Sequence, residues 1–442
     1  MFGEESSTLG ARPSGISGAE RSQRQAAFLA EIDTDSLVLI TNNPTASRSA
    51  DVNHRHRANS YLLYLTGWTE PNGVVAFHHS EEKWVSRLYV MPRDILRETW
   101  EGRRPGVEGA LTGWPVDETV SRDDIAEDLA SLLKNCNRVY HIRGLDSEVD
   151  ELVDAAFSEA ELSDPRPILD EMRLCKSDAE IALMQHAADI GSIAHIEAMR
   201  NCKPAMGEWQ MQAILEGCFV YHQSEWAYPS IVGSGDNATI LHYGENSDEM
   251  RGGDVVLIDA GCEVDGYACD ITRSFPVNGK FSDEQRAIYD LVLKSQLAAI
   301  DAVKVGAPYS DPHQVVCEVL AQGLIELGIL DGPLEDAKGE DGVRQFFMHG
   351  TGHWLGLDVH DVGGARMSDD EVSLEFEPGM VVTIEPGLYF GAWRDDITID
   401  ERWAGIGIRI EDDVLVTEDG PVVLTASCPK SAEEIEALVG SA

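Results

Sequence analysis

Long apolar runs and an excess of basic residues are both missing from this sequence. No stretch of the 442 residues reaches the length of a membrane span, and residues 1–30 show no apolar segment typical of a signal peptide. Lysine and arginine number 34 against 78 acidic residues, which gives a net charge of −44. We therefore expect neither nucleic acid nor a membrane as a partner, because both attract basic proteins.

Cysteine motifs are also missing. The eight cysteines are scattered without a CxxC pair or a disulfide-like spacing, and we expect Cys262 and Cys269 to be small buried thiols. A cytoplasmic location is the expectation that follows. The acidic composition leaves two interpretations open, which are a solvated acidic surface and attraction of a cationic substrate such as a peptide with a free α-amino group.

The chain is long enough for two domains. A boundary is predicted near Pro165 and Pro167, because these two prolines interrupt the pattern of the chain. A clear helix start follows them, since Ser177 and Glu180 have the spacing of a helix capping box. Before the boundary, DSLVLITNN and GVVAFHHS predict strands and SRDDIAEDLASLLKNC predicts a helix, which indicates an α/β domain. After it, long helical stretches such as SDEQRAIYDLVLKSQLAAIDAVK and SDPHQVVCEVLAQGLIELGIL alternate with strand pairs.

One strand pair carries an unusual charge. VVLIDAGCEVDGYACDITRSF, which begins at Val255, predicts two apolar strands joined by a tight turn at Asp265 and Gly266. Each strand contains an aspartate, Asp259 and Asp270, at a position where a side chain should be buried. Burying two ionised carboxylates side by side is strongly unfavourable, so a compensating positive charge is expected beside them.

The first of these strands has a second copy. GDVVLIDAG at residues 253–261 matches GMVVTIEPG at residues 379–387, and Asp259 and Glu385 occupy the same position in the two segments. The match indicates a duplicated unit with pseudo-two-fold symmetry. The alternative is two unrelated strands that share common strand residues.

Two more segments contribute polar side chains. GIGIRIEDDVLV places Glu411 in an apolar alternation, and we interpret the next residues, Asp412 and Asp413, as turn or surface acids. The glycines of FFMHGTGHWLGLDVHDVG argue against the helix that an HExxH zinc site requires, so this segment predicts a strand-and-loop wall. Its histidines are His349, His353 and His360.

Two divalent cations would balance the four carboxylates expected to be buried. Carboxylate oxygens with a single imidazole suit manganese, cobalt, iron or zinc, and two such metals can share a water and lower its pKa. The four carboxylates are Asp259, Asp270, Glu385 and Glu411. The alternative is that they form ion pairs with Arg251, Arg273 and Arg409.

These segments, together with NSYLLYLTGWTEP and MPRDILRETWEGRRPG near the N-terminus, closely resemble the aminopeptidase P family of pita-bread metallopeptidases. The resemblance covers nearly the whole chain. It implies an α/β (α+β) protein with an N-terminal creatinase/prolidase-type domain, residues 1–172, for oligomerisation and the active-site mouth. A C-terminal pita-bread catalytic domain with pseudo-two-fold symmetry, residues 173–442, follows.

The resemblance implies an Xaa-Pro aminopeptidase, which removes the N-terminal residue from peptides with proline in second position. A hydroxide that bridges two divalent metals would be the nucleophile, with Mn²⁺ expected first and Zn²⁺, Co²⁺ or Fe²⁺ as alternatives. Asp259 would chelate one metal, and His353 and Glu385 would bind the other. Asp270 and Glu411 would bridge them, and Glu385 would also accept a proton.

Six further residues match functional positions of the family. His242 and His360 would contact the scissile peptide, and His349 would line the pocket for the proline ring. Arg409 and Tyr389 would orient Asp259 next to the substrate. Trp100 matches a tryptophan that a neighbouring subunit contributes to the active-site mouth, which implies a homo-oligomer.

Several alternatives stay open at this point. Prolidases, which cut only Xaa-Pro dipeptides, use closely related chemistry, and a metal-free pita-bread protein could bind peptides without cleaving them. His242 and Trp100 could have purely structural roles. The family has an arginine before the EPGM strand, whereas this chain has an acidic loop in which Arg366 is the only candidate.

Overall fold

The structure is a computed structural model that describes residues 9–157, 162–363 and 374–442. The chain divides into two compact units. One consists of Ile16–Arg173, and the other consists of Leu174–Ala442 together with the chain up to Gly15. Both contain helices and sheets, which confirms the predicted α/β class. Within the described residues, we find no helix with the length and apolarity needed to span a membrane.

The unit Ile16–Arg173 is built around a mixed six-stranded sheet in the order β6-β5-β4-β1-β7-β8. In this unit β2 and β3 form a separate two-stranded sheet. The strands of the unit are β1 Ser36–Thr41, β2 Ser47–Ser49, β3 Val52–Asn53, β4 Val74–Ser80, β5 Lys83–Val90, β6 Glu118–Ser121, β7 Arg138–His141 and β8 Leu162–Ser163. Its helices are α1 Gly18–Ala30, α2 Ser60–Thr66, α3 Ile95–Glu101, α4 Gly106–Gly113, α5 Ile125–Leu133, α6 Ser147–Ala156 and α7 Arg166–Leu174, which ends at the unit boundary.

The core of this unit follows from helix and strand periodicity. Ile125, Leu129 and Leu133 recur every four residues along α5 and are all buried. They pack against alternating inward residues of the central strands, including Leu37 and Leu39 of β1. The strands and the helix predicted for this region are confirmed.

The second unit begins with the predicted helix start. Ser177 and Glu180 form a capping box at the first turn of α8, and the predicted long helices are α10 and α11. The helices are α8 Asp178–Asn201, α9 Glu208–Tyr221, α10 Asp283–Ala302, α11 Asp311–Glu326, α12 Leu334–Ala337 and α13 Ala432–Leu438. The strands are β9 Glu225–Trp226, β10 Ile231–Ser234, β11 Val255–Asp259, β12 Cys262–Val264, β13 Tyr267–Ala268, β14 Thr272–Pro276, β15 Val381–Ile384, β16 Gly387–Phe390, β17 Ile406–Arg409, β18 Asp412–Thr417 and β19 Gly420–Val423.

The strand pair from Val255 differs from its prediction. The expected turn is present, with positive φ at Asp265 (51°) and Gly266 (87°). Each of the two expected strands is interrupted, however, so that β11 pairs with β14 in one sheet while β12 pairs with β13 in another. The physical reason is that the outer and inner halves of the pair join different neighbours, β10 and β9 respectively.

The second copy is broken in the same way. β15 pairs with β18 and β16 pairs with β17, all antiparallel, which repeats the pairing of β11 with β14 and of β12 with β13. The sequence match therefore corresponds to a repeated structural unit. The interruptions matter for the site because side chains in a regular strand point alternately to the two faces of the sheet. Side chains at a strand break do not follow this alternation and can point between the two copies.

Candidate metal centre

The four predicted carboxylates stand at the four strand interruptions. Asp259 is the last residue of β11, and Asp270 lies between β13 and β14. Glu385 directly follows β15, and Glu411 lies between β17 and β18. The two copies are joined here, because the backbone N–H of Glu411 donates to the carbonyl oxygen of Thr272 at 3.1 Å. Equivalent breaks in the repeated unit thus bring the acids to one place.

A histidine completes the cluster. The ligand atoms of Asp270, His353 and Glu411 all lie within 4.8 Å of one another, as a metal site requires. His353 Nε2 is 3.5 Å from Asp270 Oδ2 and 3.8 Å from Glu385 Oε1. Its other ring nitrogen, Nδ1, is 3.0 Å from the carbonyl oxygen of Trp354 and donates to it. That bond leaves Nε2 as the nitrogen that can bind a metal.

The backbone before His353 lies against β15. A Cβ atom added to Gly352 would stand 1.7 Å from the carbonyl oxygen of Thr383, so only glycine permits this approach. The N–H of His353 donates to Thr383 Oγ1 at 3.0 Å, and the N–H of Thr383 donates to the His353 carbonyl oxygen at 2.9 Å. The glycine-rich segment therefore forms the expected wall as a loop. The strand predicted within it is absent from its described residues, which form only an isolated bridge between Trp354 and Val382.

A chain of hydrogen bonds runs from Asp259 to His349. Arg409 donates from Nη2 to Asp259 Oδ2 at 2.6 Å and from Nη1 to the Tyr389 hydroxyl at 3.0 Å. Tyr389 is 2.8 Å from His349 Nε2 and donates to it, while His349 Nδ1 donates to the Gly350 carbonyl oxygen at 2.7 Å. Burial, followed by the nearby Arg409, lowers the pKa of His349 to about 3, so its ring is neutral.

A cavity of about 590 Å³ opens onto this cluster. Its lining includes three of the predicted substrate-contact histidines, which are His242, His349 and His360. The His360 ring lies 4.3 Å from the His353 ring, measured between centroids. Tyr389 is buried behind the cavity wall and reaches it through His349 and Arg409.

Comparison with known proteins agrees with this geometry. Residues 182–418 match the metallopeptidase family M24, and residues 21–140 match the N-terminal domain of aminopeptidase P. The chain belongs to metallopeptidase family M24.

Its curated relatives include Xaa-Pro aminopeptidases of two bacteria. The protein from Haemophilus influenzae is 42% identical over 422 residues, which is 95% of this chain and 97% of that protein. The protein from Escherichia coli is 42% identical over 441 residues, which is 97% of this chain and 99% of that protein.

Solved structures show the same fold. An aminopeptidase from Pseudomonas aeruginosa is 39% identical, with a TM-score of 0.91 over 96% of this chain and 98% of that chain. Zinc-substituted E. coli aminopeptidase P in complex with product is 42% identical, with a TM-score of 0.91 over the same shares, 96% and 98%. These matches confirm the predicted succession of an aminopeptidase P N-terminal domain and an M24 domain.

The residues fit the metal that an M24 metallopeptidase needs. Burial is the largest cause of the raised pKa of Glu385, which is about 7. Burial also raises the pKa of Glu411, and the negative charge of Asp270 raises it further. For Asp270, burial is again the largest single cause and acts to raise the pKa. The hydrogen bond and charge of His353, together with Tyr228 and Arg409, outweigh burial and lower the pKa. Arg409 neutralises only part of this negative charge, and divalent cations among these oxygens would neutralise the rest.

Tyr228 is a site residue that the sequence analysis missed. Its hydroxyl is 2.7 Å from Asp259 Oδ1 and also forms a short contact with Asp270 Oδ1. One hydroxyl hydrogen can serve only one of these two oxygens, so the arrangement calls for a second positive centre beside them. Tyr228 stands in EWAYPS, where neither spacing nor a known motif distinguishes it. Its only signal is its position three residues before β10, the strand that pairs with β11.

One interpretation from the sequence is wrong. Asp412 and Asp413, expected in a turn or on the surface, are buried in β18. Asp412 accepts from Arg273 at 2.7 Å and from Lys430 at 2.6 Å. Asp413 accepts from the backbone N–H of Asp270, and burial raises its pKa well above the usual value. Both acids are thus held by partners that are distant in sequence.

The three arginines proposed as alternative partners of the carboxylates lie in different environments. Arg409 pairs with Asp259, whereas Arg273 pairs with Asp412 and Arg251 is exposed. Among the described residues, ion pairing with these arginines therefore accounts for one of the four carboxylates, not for the cluster. Trp100 lies in the other unit and is 89% exposed. Arg366 lies outside the described residues.

Proposed function

We propose that this protein is an Xaa-Pro aminopeptidase that removes the N-terminal residue from peptides with proline in second position. The observation that carries the proposal is the convergence of four carboxylates and His353 on the wall of one cavity of about 590 Å³. The name shared by the curated relatives, at 42% identity over almost the whole chain, supports the same activity.

Two divalent cations are held by five residues in this proposal. The residues are Asp259, Asp270, His353, Glu385 and Glu411. Bound there, the cations supply Lewis-acid polarisation and a water of lowered pKa at neutral pH. The oxygen-rich donor set with one imidazole suits Mn²⁺ first, and Zn²⁺, Co²⁺ and Fe²⁺ are accommodated by the same ligands.

Glu385 holds the proton of the attacking water. It lies beside His353 and lines the cavity. A carboxylate in hydrogen-bond reach of the nucleophile can take up its proton and then return it to the leaving imino nitrogen of proline. Asp259 stays in one orientation during these steps because Arg409 and Tyr228 hold its two oxygens.

The histidines of the cavity contact the substrate. His242 and His360 donate hydrogen bonds to the scissile carbonyl oxygen as negative charge develops there. His349 is neutral and presents a ring face to the proline side of the bond. The preference for proline follows from its missing N–H, because the pocket then needs no acceptor for that amide.

The test is hydrolysis of matched peptides by the metal-loaded protein. We expect release of the N-terminal residue from Xaa-Pro-Yaa tripeptides and no release from Xaa-Ala-Yaa peptides of the same length. Cleavage confined to Xaa-Pro dipeptides would identify a prolidase instead. Peptide binding without cleavage, at full metal occupancy, would identify a binding protein.

The α3 helix supports a homo-oligomer. None of its residues is buried, and Ile95, Leu96 and Trp100 are 78%, 79% and 89% exposed. Clustered large apolar side chains at a protein surface mark interaction sites. In the proposal, this helix packs on another copy of the chain and Trp100 reaches the partner's active-site mouth. Light scattering and steady-state kinetics test it, since Trp100→Ala should weaken the oligomer and raise KM. Leu297→Ala, at another exposed apolar residue, serves as control.

The remaining parts of the proposal concern domain roles and location. Residues 1–172 would serve oligomerisation and residues 173–442 catalysis, as the family resemblance implies. The thiols of Cys202, Cys218, Cys262 and Cys269 are free and buried, and a cytoplasmic location, where thiols stay reduced, is part of the proposal. Fractionation of the native cells tests the location.

A further inference from the structure

Glu208 is a buried carboxylate far from the metal ligands in sequence. It opens helix α9 and has no exposed surface. Five hydrogen-bond donors surround its two oxygens. Oε1 accepts from the N–H of Ser234 at 2.8 Å, from Ser234 Oγ at 3.0 Å and from Asn237 Nδ2 at 3.2 Å. Oε2 accepts from the Tyr243 hydroxyl at 3.0 Å and from the N–H of Asp248 at 2.9 Å.

All of these donors are electrically neutral. Among the described residues, no lysine or arginine forms an ion pair with Glu208, unlike buried Asp412 with Arg273 and Lys430. Burying a carboxylate without a cation is costly, and only a complete set of hydrogen bonds offsets the cost. Oε1 has three donors and Oε2 has two, so the loss of any donor removes part of the hydrogen bonding that offsets the burial of this carboxylate.

The donors share one location in the chain. They span Ser234, the last residue of β10, to Asp248 in the irregular segment that follows β10 and carries His242 at the cavity. Tyr243, the residue after His242, is fixed from both sides, since its hydroxyl donates to Glu208 and accepts from Asn237 at 3.0 Å. Glu208 thus binds the segment before and after His242.

Helix α9 holds the same segment a second time, one turn later. Gln212 Oε1 accepts from Asn246 Nδ2 at 3.0 Å, and Asn246 Oδ1 accepts from the N–H of Val232 at 2.9 Å. The His242 segment contains no long helix or strand of its own beyond a short 3-10 turn, Gly235–Thr239. Side chains of α9 thus hold this segment at two places, while Ala392 and Trp393 hold its 3-10 turn through Asp236 and Thr239.

We infer that Glu208 is a positioning residue for His242, and that it holds the segment Ser234–Asp248 so that the His242 ring faces the scissile bond. The inference rests on the proposed function, in which His242 contacts substrate. Glu208 itself does not touch the cavity.

A displacement of about 1 Å in a substrate-contact group can lower the rate by up to ~100-fold, so a group that fixes this segment influences turnover from a distance.

A double-mutant cycle tests the inference. kcat/KM for an Xaa-Pro-Yaa peptide is measured for the metal-loaded wild type, Glu208→Gln, His242→Ala and the double variant. We expect Glu208→Gln to lower kcat/KM by about tenfold or more in the wild type and by less than about twofold in the His242→Ala background. An equal loss in both backgrounds, or no loss in the wild type, would overturn the inference.

Matched variants separate positioning from general damage. Glu180→Gln alters another buried carboxylate, which accepts from Tyr267 at 2.7 Å and from the N–H of Ser177 at 2.8 Å, and should leave kcat/KM unchanged. Tyr243→Phe removes a single donor and keeps the inference testable if Glu208→Gln does not fold. It should produce a smaller loss that again disappears in the His242→Ala background, and an undiminished loss there contradicts the inference. Inactivity of the wild type on every Xaa-Pro peptide is a separate result, which overturns the proposed function and the role of His242 with it.

Discussion

The guanidinium of Arg409 donates from Nη2 to Oδ2 of Asp259 at 2.6 Å, and this pair is the one direct cationic contact from an arginine or lysine to the carboxylate cluster in the described residues. Arg409 also donates to Tyr389 at 3.0 Å and from Nε to Thr272 Oγ1 at 3.1 Å. Its planar donors therefore connect the two copies of the repeated unit, and through Tyr389 they also reach His349.

Replacing Arg409 with lysine should lower kcat/KM by about 10- to 100-fold, the range found when partners that orient metal ligands are changed. A lysine keeps the charge but cannot reach three acceptors with a fixed planar fork. Steady-state kinetics at saturating metal checks the prediction. Arg87→Lys is the control, because Arg87 also binds more than one acceptor through its guanidinium, in its case the carboxylates of Glu118 and Asp128 in the other unit. Equal kinetics for the Arg409 variant and the wild type would show that the fork is dispensable.

Asp412 belongs to a buried network rather than to the surface. Its two oxygens accept from Arg273 and Lys430, and also from Thr425 at 2.7 Å and Gln296 at 2.8 Å. Asp412→Asn should lower the free energy of unfolding by about 3–5 kcal/mol, because it leaves the fully buried Arg273 without its charge partner.

Urea denaturation measures this loss. Asp290→Asn is the matched control, since Asp290 pairs with Arg286 but has a side chain that is 50% exposed. Exposed pairs contribute little to stability. A comparable loss for both variants would contradict the assignment of Asp412 to a buried network.

These elements show what the sequence could and could not predict. Helix α8 and the strands of the repeat were predictable because capping boxes and apolar alternation are local signals. The four carboxylates were predictable because buried acids need compensation. Asp412 was misread because its partners, Arg273 and Lys430, are brought to it only by the fold.

The strand interruptions were not predictable for a related reason. The sequence from Val255 to Phe275 alternates well enough for two continuous strands, and only the choice of different neighbours, β10 and β9, breaks them. Tyr228 was missed because a single tyrosine carries no periodic or spacing signal. Both features depend on contacts between segments that lie far apart in the chain.

His195 should make stability dependent on pH. It is fully buried on α8, and its Nε2 donates to the carbonyl oxygen of Ala260 at 3.0 Å. Burial lowers the pKa of His195 to about 4. The hydrogen bond with Ala260 acts in the opposite direction, and the positive charge of Arg273 adds to the lowering. Since the folded pKa lies below the unfolded value of 6.5, the unfolded chain binds the proton more tightly. The stability linked to His195 is therefore complete above pH 6.5 and falls as the pH drops toward about 4.

The comparison of wild type with His195→Gln isolates this term. At pH 5 the wild type should lose about 2 kcal/mol more of its pH 7.5 stability than the variant loses, because glutamine does not titrate. Urea denaturation of both proteins at the two pH values provides the measurement. Identical losses would show that His195 is not responsible.

The bridging assignment predicts a particular pair of failures. Asp270→Asn and Glu411→Gln should each abolish tight metal binding and lower kcat by at least about 100-fold, because each variant removes a charged oxygen from the group around His353. Metal analysis of the purified variants, with Glu180→Gln as the control, checks it. Full turnover in either ligand variant would remove that residue from the site.

The central claim is that cations among the buried acids are needed for catalysis. It is tested most directly by metal analysis of the wild type after exhaustive dialysis against a chelator, with Xaa-Pro-Yaa hydrolysis measured on the same sample. We predict that hydrolysis disappears with the metal and returns when Mn²⁺ is added. Undiminished cleavage by a sample shown to contain no transition metal would contradict the account.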